Sequence, residues 1–86
     1  MSRTITGTVA AINRLNGLFQ VRLAGGAYAV FELVSAVDLK PGDLIAGHLD
    51  AMGSQQLLHL GHAQAFQAIG QSGEGSFKAT WNLMGL

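Results

Sequence analysis

The chain has 86 residues, of which 49% are hydrophobic and only 12% charged, with no cysteine. That length suits one small domain, the apolar content excludes intrinsic disorder as its main description, and the missing cysteine excludes a disulfide scaffold or a Cys-ligated zinc module. Five Lys+Arg balance five Asp+Glu, so no net charge pulls the chain toward nucleic acid or an anionic membrane.

Taken in chain order, the periodicity is mostly that of strands. Thr4 to Asn13 is rich in Thr, Val and Ile and predicts a first strand, ended by Asn16-Gly17, a strong hairpin signal. Leu18 to Ala24 alternates, with Phe19, Val21 and Leu23 on one face and Leu18, Gln20 and Arg22 on the other. Gly25-Gly26 turns the chain into a third strand, Ala27 to Leu33, where Tyr28, Val30 and Glu32 oppose Ala29, Phe31 and Leu33. Lys40-Pro41-Gly42-Asp43 reads as a turn. Leu44 to Met52 predicts a fourth strand, Gly53-Ser54 a turn and Gln55 to Leu60 a fifth strand. In the tail, the spacing of Ala63, Phe66 and Ile69 predicts two helical turns over His62 to Ile69. Gly70, Gly73 and Gly75 predict a flexible stretch, and alternation from Phe77 to Met84 predicts a sixth strand. The expected division is a barrel over residues 1–60 and an extension over 61–86 that packs on the barrel or on a second subunit, within a single domain. No apolar run of signal-peptide type follows Arg3, and no stretch approaches the ~18 apolar residues of a membrane span. A bacterial, cytoplasmic protein that does not enter a membrane is the expectation.

The order of motifs in the first two thirds resembles a cold-shock domain. Gly7-Thr8-Val9, Ile12-Asn13 and Asn16-Gly17-Leu18-Phe19-Gln20-Val21 stand like that family's first motif. Val30-Phe31-Glu32-Leu33-Val34-Ser35-Ala36-Val37 stands like its second, and Leu39-Lys40-Pro41-Gly42-Asp43 like its turn into strand four. The resemblance implies a mainly β, five-stranded OB-type barrel, here followed by a C-terminal extension holding a short helix and a sixth strand. It also implies single-strand binding by bases stacked on exposed aromatics. The residues that would do this are largely replaced. Ala10, Ala11 and Ile12 stand where the family has Lys, Trp and Phe; Asn16 replaces a Lys, Leu18 and Gln20 replace Phe, and Leu33 and Val34 replace His and Phe. With each stacked base worth ~1–3 kcal/mol, affinity would fall by orders of magnitude.

Two functional expectations follow, neither enzymatic and neither requiring a cofactor. The first is a protein-interaction or self-assembly module. Its aliphatic former ligand face, Ala11, Ile12, Leu33 and Val34, is covered by the tail carrying Phe66 and Trp81 or by a protein partner or second copy, since such a face does not stay bare. The second is weak binding of single-stranded RNA or DNA through Arg14, Leu18, Gln20, Arg22, Tyr28 and Phe31, with Phe31 either a surviving stacking ring or a packed one. His48, His59 and His62, with Asp50, would hold zinc only if they converge. No family spacing brings them together, so surface or edge histidines are expected and no metal site is assigned. Asp38, Asp43 and Asp50 lie in or near turns, where Asp is favoured for local hydrogen bonds. No nucleophile elbow or phosphate loop is present. Small-anion binding, as in the Mop domains that the chain resembles loosely, has no motif here.

Overall fold

The computed structural model describes residues 4–35 and 37–85; Arg3 and Ala36, used above, lie outside them. Six strands, β1 (Ile5–Asn13), β2 (Leu18–Leu23), β3 (Tyr28–Leu33), β4 (Leu44–Gly47), β5 (Gly53–His59) and β6 (Gln64–Gly70), are followed by one helix, α1 (Phe77–Leu83). The strands close in the order β1-β2-β3-β6-β5-β4, with β4 returning to β1 and every neighbouring pair antiparallel. The fold is therefore a mainly β closed barrel with a short C-terminal helix, of six strands rather than five.

The interior is built by alternation. Phe19, Val21 and Leu23 point inward from β2, Ala29 and Phe31 from β3, Leu57 from β5, and Phe66 and Ala68 from β6. Val9 from β1, Ile45 from β4, and Leu39 and Leu49 from the connections on either side of β4 complete this core. Three rings meet at its centre: Phe19 stacks on Phe31 at 5.8 Å and tilts against Phe66 at 6.3 Å. Gly17 takes φ 75° in the β1–β2 turn, the conformation that Asn-Gly signalled. In β1 the register shifts between Val9 and Ala11, so that Val9 faces the core opposite Val21 while Ala11 pairs with Gln20 on the outside.

The tail corrects two expectations, and the reasons are physical. His62 to Ile69 is not helical: it forms the β5–β6 turn and β6. The same residues carry a period of two, with Phe66 and Ala68 inward and Gln67 outward, and only a strand here satisfies the backbone of both β3 and β5. Phe77 to Leu83, expected as a strand, is α1. Ser76 caps it by accepting from the Ala79 N–H at 3.1 Å, and Thr80 and Met84, four residues apart, are buried together. The fourth strand ends at Gly47, and Gly53-Ser54 begins β5 instead of turning into it. Residues 61–86 thus contribute a barrel strand as well as the helix.

Candidate interaction face

The outer surface of β2 and β3 carries Leu18, Gln20 and Arg22 beside Tyr28, Val30 and Glu32, paired Leu18 with Glu32, Gln20 with Val30 and Arg22 with Tyr28. The helix α1 lies over this surface. Gln20 and Val30 are fully buried, as are Thr80 and Met84 above them. The Gln20 Nε2 donates to Thr80 Oγ1 at 2.8 Å and to the Phe77 carbonyl at 3.3 Å. Its Oε1 is buried with no hydrogen-bond partner.

Both ends of the helix are tied down. At its C-terminal end, Asn13 and Asn16 each donate a side-chain N–H to the Met84 carbonyl, at 2.8 and 3.2 Å. At its N-terminal end, Gly75 and Tyr28 exchange two backbone hydrogen bonds of 2.8 Å, and Gln71 donates to Val30 at 2.8 Å. The glycine-rich stretch therefore runs along β3 in a fixed register. Thr80 and Met84 thus cover Gln20 and Val30, not the face of Ala11, Ile12, Leu33 and Val34 for which a cover was expected: Val34 is 59% exposed, and Ile12 and Leu33 pack against the core.

What α1 turns outward is aromatic. The Phe77 ring meets Tyr28 edge-on at 5.2 Å and stacks on Trp81 at 5.5 Å. Phe77 is 50% exposed, Leu83 49% and Trp81 37%. Phe77 and Trp81 share one helix face because they are four residues apart. Arg22 is exposed across the strand pair from Tyr28, and Lys78 is exposed on the helix.

The remaining sequence-derived residues are scattered. Phe31 and Phe66 are interior rings, so neither offers a stacking or partner surface; the alternation of β3 and β6 puts Ala29 and Ala68 inward with them. Gln20 is sealed beneath the helix. Ala11 and Leu18 are half-buried on the outer surface of β1 and β2, and Val34 is exposed just beyond β3. Ile12 and Leu33 pack against the core. Arg14, in the β1–β2 turn, donates to the Leu39 carbonyl at 3.1 Å. Sequence reasoning missed Asn13, Asn16, Thr80 and Met84. The cap at Ser76 and the four-residue spacing of Thr80 and Met84 were the available signals.

Histidine behaves differently from expectation at one position. His59 is an interior residue: it follows Leu57 on the inward face of β5 and pairs with Ile45. Its Nδ1 accepts from the His62 backbone N–H at 3.1 Å, so in the neutral ring Nε2 carries the proton and donates to Asp43 Oδ2 at 2.9 Å. His62 is exposed and stacks on His59 at 4.2 Å. The hydrogen bond from His59 holds the Asp43 carboxyl below its ordinary pKa against the opposing effect of burial, helped by the Lys40 N–H. His48 is half-buried and Asp50 exposed. Among the described residues no three His, Cys, Asp or Glu side chains are placed to hold a metal ion, and no helix is long and apolar enough to cross a membrane. No protein-family model, curated protein or solved structure matches the chain.

Proposed function

We propose that this chain is a non-enzymatic binding module of the cytoplasm that works by protein–protein contact, self-association included, through the outward face of α1. The observation that carries the reading is the Tyr28–Phe77–Trp81 ladder, in which Phe77 and Trp81 on the outward side of α1 continue from Tyr28 on β3. Tyr and Trp are among the residues that most often dominate binding energy at protein interfaces. We read the barrel as a divergent OB-type, cold-shock-like one. Supporting this, Asn16-Gly17 makes the β1–β2 turn and Pro41-Gly42-Asp43 the turn into β4, as the resemblance implies.

Light scattering on a size-exclusion column tests the reading between about 10 and 200 µM, where weak association responds to mass action. The mass is expected to rise from 9.0 kDa toward twice that value with concentration. Phe77→Ser with Trp81→Ser is expected to hold it at the monomer. A wild-type monomer throughout would remove self-association and leave contact with a different protein.

A second reading, weak single-stranded nucleic-acid binding, is favoured by exposed Arg22 opposite Tyr28, since a base stacked on the ladder would bring its phosphate toward a cation. Anisotropy of a labelled single-stranded pool at ~50 and ~200 mM salt tests it, because phosphate contacts weaken steeply with salt. Arg22→Gln is then expected to flatten the salt dependence.

A further inference from the structure

Arg14, Ile12 and Leu33, which the sequence assigned to two different surfaces, meet at one mouth of the barrel. With Phe19, Val37 and Leu39 they line a cavity of about 130 Å³. Every one of these side chains except Arg14 is hydrocarbon. Apolar cavities of about 150 Å³ stay dry and take molecules the size of benzene, so this volume suits an aliphatic chain of roughly six carbons. The cation at the rim is fixed rather than free. One N–H of the Arg14 guanidinium is anchored to the carbonyl of Leu39, itself a wall of the cavity. No carboxylate pairs with Arg14 among the described residues. Asp38, beside Leu39 in the chain, lies 3.7 Å from Lys40 instead. An apolar hole under an unpaired guanidinium matches a molecule with a hydrocarbon tail and a carboxylate head, and the planar fork of Arg suits a carboxylate in particular.

We infer that this cavity is a binding site for a free short-chain aliphatic carboxylate, its tail among Ile12, Leu33 and Leu39 and its head on Arg14. The site is separate from the α1 ladder and does not depend on the function proposed for that face.

Methyl-resolved NMR titration of the full chain with sodium hexanoate tests the inference, with hexanol and acetate as companions. Hexanoate is expected to shift the methyl signals of Ile12, Leu33, Val37 and Leu39 saturably, at a Kd on the order of 1 mM for so small a ligand. Acetate, lacking the tail, is expected to leave them unmoved. Hexanol, lacking the charge, is expected to bind about tenfold more weakly, as charge-assisted hydrogen bonds to carboxylates are the strong ones. Arg14→Gln is expected to bring hexanoate down to the hexanol level while leaving hexanol unchanged. Its dispersed spectrum confirms folding, and Arg14→Lys, which keeps the charge, is expected to retain part of the affinity should the glutamine variant be unstable. Unsaturated shifts, equal binding of hexanoate and hexanol, hexanoate affinity unaltered in Arg14→Gln, or shifts confined to α1 would each overturn the assignment.

Discussion

At the scale of single residues, the fit between helix and barrel turns on one amide. Gln20 makes two donor contacts to α1 but leaves Oε1 buried and unpaired, and an unsatisfied buried acceptor costs ~1–3 kcal/mol. Gln20→Leu removes that acceptor at similar volume, and Thr80 Oγ1 keeps its bonds to the Ser76 and Phe77 carbonyls. Its urea-melt stability is therefore expected to be unchanged or raised by about 1 kcal/mol. The opposite sign is expected for Asn13→Ala, which takes the 2.8 Å donor from the buried end of the helix and is expected to cost about 1 kcal/mol or more in the same melt. Asp43 supplies a pH dependence. Its carboxyl is held low in the folded chain, mainly by the hydrogen bond from His59, so the unfolded chain binds the proton more readily. The stabilisation is present above the unfolded value of 3.8 and is lost as pH falls through the folded one. The stability difference between wild type and Asp43→Asn is accordingly expected to be largest near neutrality and to shrink on acidification below about pH 4. A difference independent of pH would show that the Asp43 charge contributes nothing.

At the scale of elements, the first five strands were largely legible, and the two tail elements were exchanged. The hairpin signals Asn16-Gly17 and Gly25-Gly26 and the turn Lys40 to Asp43 fixed where β2, β3 and β4 begin, because those backbones need few conformations and announce them by residue type. Over 64–70 and 77–83, by contrast, each segment carries both periods. Phe66 is three residues from both Ala63 and Ile69 as a helix would have it, yet it also alternates with Gln67. Phe77, Ala79, Trp81 and Leu83 alternate as a strand would, yet α1 faces most of them to solvent. Pairing partners far along the chain decided the first case, and a cap plus a buried Thr80–Met84 stripe decided the second. A helix of 7 residues is marginal without such support. Ser76→Ala is therefore expected to cost about 1 kcal/mol, and Trp81 fluorescence is expected to report loosening of α1 at lower denaturant than the barrel's circular dichroism. A single coincident transition would make helix and barrel one cooperative unit. In β6 the sensitive position is Gly70, where a Cβ would run into the backbone of Ala51 and Met52. Gly70→Ala is expected to destabilise by about 2 kcal/mol or more, since backbone on the far side of the contact yields less readily than a side chain.

At the scale of the whole molecule, the closed sheet has a consequence for how the protein meets others. Each of the six strands already has two hydrogen-bonded neighbours, so the barrel has no first or last strand to offer. An extended peptide cannot join it by adding a strand, the route many domains use for recognition and most fibres use for growth. Recognition has to be written in side chains alone: in the rings of α1, or in the guanidinium and hydrocarbon at the barrel mouth. Specificity can then drift by point substitution without touching the backbone frame, which makes this small barrel a tolerant chassis for changing partners.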